Sequence, residues 1–152
     1  MEFHVHNGQD MDKIQYADLQ RKLIYIPYRI LSANTATSYG VVFTANENGR
    51  VVYISESHKT AGSSGGAVTM DLEKLTGTTA SGSGRGLLRT KFNIKNTANT
   101  VVQKENNSDF VATSISNTID ITFKKGERLG LTTAGTLTAV DDVVGLLIVM
   151  YD

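Results

Sequence analysis

The chain has 152 residues, 40% of them hydrophobic, with 15 Lys and Arg balanced by 15 Asp and Glu and no Cys. That length and apolar fraction suit one folded domain with its own core and exclude a disordered chain. The lack of Cys excludes disulfides, thiolate metal sites and cysteine nucleophiles, and the zero net charge gives no electrostatic basis for nucleic-acid binding. Threonine, at 18 residues, outweighs the single proline and favours strands over helices. The first residues lack the basic start and apolar run of a secretory signal, and the most apolar stretch, 143–151, is too short to cross a bilayer. The expectation is a protein made in the cytoplasm with no membrane span.

Residues 1–22 differ from the rest. Phe3, His4, Val5 and His6 alternate and then break at Asn7-Gly8; Asp10 to Lys22 is polar, with Ile14, Tyr16 and Leu19 as isolated apolar anchors. A short helix fits over 16–22, but so few apolar residues would leave it marginal alone. The segment reads as an extended arm that gains order by lying on something else.

The β pattern starts at Leu23. Residues 23–31 form a strand that Pro27 confines to an edge or a bulge. Residues 39–45 and 50–56 read as the next two strands, joined at Asn48-Gly49 as a hairpin. Val52 and Ile54 are expected on one face, with Val51, Tyr53 and Ser55 on the other. A loop over 58–65 then leads to the clearest strand, 66–75. There Val68, Met70 and Leu72 point to the core, and Thr69, Asp71 and Glu73 point to solvent or a neighbouring subunit. A glycine-rich loop, 76–86, precedes a strand over 87–95. Short strands follow near 100–104, 110–114, 119–123 and 128–131, and a final pair, 137–140 and 143–151, closes around an Asp141-Asp142 turn. Eight or nine strands at this turn spacing predict an all-β, jelly-roll-like antiparallel sandwich over 23–152. The last strand is apolar on both faces, so its outer face needs a cover, most simply a neighbouring subunit.

Catalytic constellations are missing. No serine sits in a nucleophile elbow. The Gly82-Ser83-Gly84-Arg85-Gly86 run lacks the lysine ending and following helix of a phosphate loop. Asp10 and Asp12 lack the further oxygens of a calcium loop. No enzyme activity and no cofactor is expected. His4 and His6 share a face of an extended chain, yet one chain supplies two ligands, short of a structural zinc site, so no metal is expected. Ser81, Gly82, Ser83, Gly84 and Arg85 form a candidate ligand-facing loop. The strand tyrosines could line a sugar site, although such positions are more often simply half-buried.

Three segments carry a resemblance. They are A-G-S-S-G-G-A-V-T-M-D-L-E-K-L-T-G-T at 61–78, G-L-L-R-T-K-F-N-I-K-N-T-A-N-T-V-V at 86–102, and G-E-R-L-G-L-T-T-A-G-T-L-T at 126–138 with its apolar close. In this order they resemble the β-sandwich domain of tailed-bacteriophage virion proteins of the head-fibre, decoration and fibre-knob kind. The leading H-V-H-N-G-Q-D-M-D-K-I at 4–14 is similar to the region that precedes the globular part in phage fibres. The resemblance implies a homotrimer located in the virion, with an anchoring arm and no catalytic residues. The arm residues would be Phe3, His4, His6, Asn7, Gly8, Asp10, Ile14, Tyr16 and Leu19, seated on the major capsid protein or another virion protein. No heptad run or collagen-like repeat supplies a shaft, which favours a short capsid knob. The alternative reading is a receptor- or carbohydrate-binding tip of a tail fibre that meets a host-surface glycan. A polysaccharide depolymerase is weakest, for want of repeats and of a convergent acidic cluster.

Overall fold

A computed structural model describes residues 22–30, 38–63, 65–105, 107–111, 121–135, 137 and 140–152. The arm residues named above, including His4 and His6, lie outside the described residues, as does all but Lys22 of the helix expected over 16–22.

Ten strands are described: β1 (Leu23–Ile30), β2 (Ser38–Thr44), β3 (Gly49–Thr60), β4 (Thr69–Leu75), β5 (Arg85–Gly86), β6 (Phe92–Asn93), β7 (Val102–Lys104), β8 (Thr122–Phe123), β9 (Arg128–Ala134) and β10 (Asp141–Tyr151). They form two five-stranded sheets. The first runs β1-β10-β3-β7, with β8 also on β3; the second runs β2-β9-β4-β5, with β6 also on β4. Every pairing is antiparallel. Taking β5 with β6, and β7 with β8, as two interrupted strands leaves eight positions. The first then pairs with the last, the second with the seventh, the third with the sixth and the fourth with the fifth. A chain doubled back on itself and rolled into two facing sheets is a jelly roll, the sandwich expected from the strand spacing.

Alternation places the core. Met70 and Leu72 of β4, Leu129 and Leu131 of β9, Ile54 of β3 and Leu147 of β10 are all buried between the sheets. Phe43, Phe123 and Tyr151 close one end with ring centroids 5.6 to 6.3 Å apart. Edge-on and tilted packing of this kind adds to simple burial.

Four local expectations are corrected. Asn48-Gly49 is not a hairpin turn, because β2 belongs to the second sheet and β3 to the first. Neither residue has the positive φ that such a turn needs. Gly49 is required for space instead: a Cβ there would overlap the Met150 carbonyl oxygen and the Phe123 ring. Within β3, Val51 and Ile54 both face the core, although three residues apart. The register against β10 slips between Ile148 and Val149, and this bulge shifts the alternation by one. Asp141 and Asp142 open β10 and do not turn a hairpin. Asp142 adopts φ of 52°, which Asp tolerates, and grips Arg29 of β1 bidentately, while Asp141 pairs with Lys59 at 3.0 Å. Finally, the strand expected over 87–95 shortens to Phe92–Asn93, with Leu88 bridging singly to Phe110.

Candidate docking faces and buried polar groups

Thr69, Asp71 and Glu73 turn away from the core, as β4 alternation requires. Asp71 and Glu73 are nevertheless only 6% and 1% exposed, and neither solvent nor a neighbouring subunit covers them. The chain's own loops do. The Glu73 carboxylate accepts from the backbone N–H of Gly82 and of Gly84, both at 2.8 Å, and from Ser81 Oγ at 3.2 Å. Amide donors on a carboxylate are charge-assisted and strong. Arg128 pins the start of the same loop through the carbonyls of Gly77 and Thr79. Gly84 lies so close to Glu73 and Leu75 that a Cβ would collide with both. Of the candidate ligand-facing residues, Ser81, Gly82 and Gly84 therefore direct polar groups inward, while Ser83 and Arg85 remain exposed.

Asp71 does the same work one step along. Its Oδ1 accepts from Leu88 N–H at 3.3 Å, and Lys91 Nζ lies 3.7 Å from its Oδ2. Burial raises its carboxyl above the usual carboxylate range, with these partners acting in the opposite direction.

The outer face of the first sheet is a different surface. Residues of β10 alternate strictly: Val143, Leu147, Val149 and Tyr151 are buried inward, and Val144, Leu146, Ile148 and Met150 look out. Directly opposite on β1 stand Arg29, Pro27, Tyr25 and Leu23 in turn. The registered pairs Leu146–Pro27, Ile148–Tyr25 and Met150–Leu23 make a continuous apolar stripe, with Tyr25 60% exposed. Monomeric proteins seldom leave such a stripe in water.

One buried constellation escapes a reading of the sequence that places His58 in a loop. His58 lies within β3, two residues from Glu56, so both face the interior, and each is 1% exposed. His58 Nε2 meets the Asn96 carbonyl at 2.9 Å, and Nδ1 meets Glu56 Oε2 at 3.0 Å. A carbonyl only accepts, so Nε2 carries a proton. A second proton then lies between Nδ1 and the carboxyl. Burial pushes the Glu56 carboxyl upward, and the His58 contact opposes it. Glu56 Oε1 has no hydrogen-bond partner among the described residues. In the same row, Tyr28 packs over Gly145 and donates to the Ser55 carbonyl at 2.6 Å, and burial drives its phenol far above the usual range. The signal was present in the sequence: E-S-H in a strand puts acid and imidazole on one face. Among the described residues no group of three or more His, Asp or Glu could hold a metal ion.

No protein-family model matches the sequence, and none of the curated proteins does. Two of the solved structures that resemble the fold are chains of phage capsids. One is a chain of the capsid of Ralstonia phage GP4, at TM-score 0.51 and 14% identity, covering 88% of this chain and 85% of that one. The other is a chain of the capsid asymmetric unit of cyanophage Pam1, at TM-score 0.48 and 10% identity, covering 87% and 84%. The likeness is one of fold, and its partner in that likeness is a chain of a phage capsid.

Proposed function

We propose that the protein is a structural component of a bacteriophage virion, a homotrimeric capsid decoration or head-fibre knob held to the particle by residues 1–22. The observation that carries this reading is the apolar stripe of β1 and β10, which the described residues leave partly exposed, on a jelly roll of the kind found in a phage capsid. A second copy of the chain is the simplest cover for it, and burying such a face supplies association energy without any new chemistry. The segment order that resembles phage fibre and decoration proteins supports the same reading. The major capsid protein, or another virion protein, is the expected seat of the arm.

Light scattering of the purified chain tests the assembly. A mass of three times 16.5 kDa supports the trimer, and a stable 16.5 kDa species would sink it. Deletion of residues 2–20 tests the arm separately: a folded trimer that no longer decorates particles is expected, and full decoration would remove the anchoring role. The alternative, a glycan-binding tip working through residues 81–85, has less support, because most polar groups of that loop serve Glu73.

A further inference from the structure

A trough of about 670 Å³ lies beside β4, lined by residues 65–67, Thr69, Arg89, Thr90, Lys91, Asn93 and Lys95. Three cations and no carboxylate or aromatic ring line it among the described residues. This clustering is notable in a chain whose formal charge is zero. The cationic segment is braced from behind. Phe92 and Ile94 are buried, so Lys91, Asn93 and Lys95 face outward. Arg89 N–H donates to the Asp109 carbonyl, Asp71 stands behind Lys91, and Lys95 Nζ donates to the Gly66 carbonyl across the trough. Asn93 Oδ1 accepts from Lys95 N–H, which fixes the turn.

We propose that this trough binds an acidic oligosaccharide. Lys91 Nζ stands at Asp71 and Lys95 Nζ at the Gly66 carbonyl, five residues apart along the facing chain, so these cations do not converge on one small anion. They suit a ligand with charges spread along its length. The interleaved Thr69, Thr90 and Asn93 supply donors and acceptors for hydroxyl groups. Single-stranded nucleic acid fits less well, because it calls for aromatic stacking platforms. The site does not depend on the virion reading and would operate in any assembly that leaves the trough open.

Calorimetric titration with a decameric oligogalacturonate, a neutral dextran of the same length and a single-stranded DNA decamer tests this, using the full chain in low salt. The carboxylated probe is expected to bind, and the dextran is not. Arg89→Ala, at an exposed position, should weaken binding about tenfold. Arg89→Ser with Lys91→Gln and Lys95→Gln should abolish it. A control pair, Lys124→Gln with Lys125→Gln, removes charge outside the trough and should change affinity less than about twofold. Absence of binding by the wild type, an equal loss in the control pair, or tighter binding of the DNA through the same residues would each overturn the proposal. If the triple variant does not fold, Arg89→Ala alone decides.

Discussion

Replacing His58 with Leu leaves Glu56 in the core with neither oxygen paired among the described residues, since Oε1 already lacks a partner there and Oε2 loses its contact with Nδ1. Removing one member of a buried pair costs about 3–5 kcal/mol when the remaining charge is trapped. Glu56 has one escape, which is to take up a proton. From the ordinary value of 4.5, holding a carboxyl neutral at pH 7 costs 2.5 pH units at about 1.36 kcal/mol each, or about 3.4 kcal/mol. With about 1 kcal/mol for the lost hydrogen bond, the penalty at pH 7 is capped near 4 kcal/mol. At pH 4.5 the protonation cost nearly vanishes, and the penalty should fall to about 1–2 kcal/mol. The sign in the wild type follows from the same linkage. Burial raises Glu56, so the folded state binds more protons than the unfolded state, and this group's contribution is largest at low pH and declines as pH rises above 4.5. Urea unfolding followed by far-ultraviolet circular dichroism at fixed protein concentration, from pH 4.5 to 7, measures the difference. A penalty that stays constant across that range, or remains below about 1 kcal/mol, would refute the buried-acid argument. Glu56→Gln provides the complement and should remove the downward slope.

Glu73→Gln leaves one acceptor oxygen where two serve Gly82 and Gly84, so a loss of about 2 kcal/mol is expected. Hydrogen exchange at those two amides should accelerate, and unchanged exchange would show that the carboxylate does not hold the loop. Gly145→Ala drives a Cβ into the Ser55 carbonyl and the Tyr28 ring, and should lower stability by about 3 kcal/mol; an unchanged melting temperature would contradict that packing. Ile148→Glu places a charge in the outward stripe of β10, at a position that the described residues leave half-exposed. It should leave the isolated fold intact, within about 1 kcal/mol, while splitting the oligomer by light scattering. A full-mass assembly would move the interface elsewhere.

The contrast between β4 and β10 explains how far the sequence could be read. Both strands alternate, but the inward residues were legible only on β4, where Met70 and Leu72 stand among polar neighbours; β10 is apolar on both faces, and a period of two does not say that Leu147 and Val149 are the inward set. The outward residues were not legible, since periodicity says which way a side chain points and nothing about what lies over it. On β4 polar residues point out, yet Glu73 is among the most buried groups because a glycine loop nine residues on folds back to give it amides. On β10 apolar residues point out and the described chain covers them only in part. A carboxylate needs donors and finds them in its own loop; an apolar stripe needs only exclusion of water, which the described residues provide only in part. The same reasoning accounts for the mistaken hairpin at Asn48-Gly49. A glycine required for space against Met150 and Phe123 looks in sequence like one required for positive φ, and only the partner strands, β10 and β8, distinguish the two.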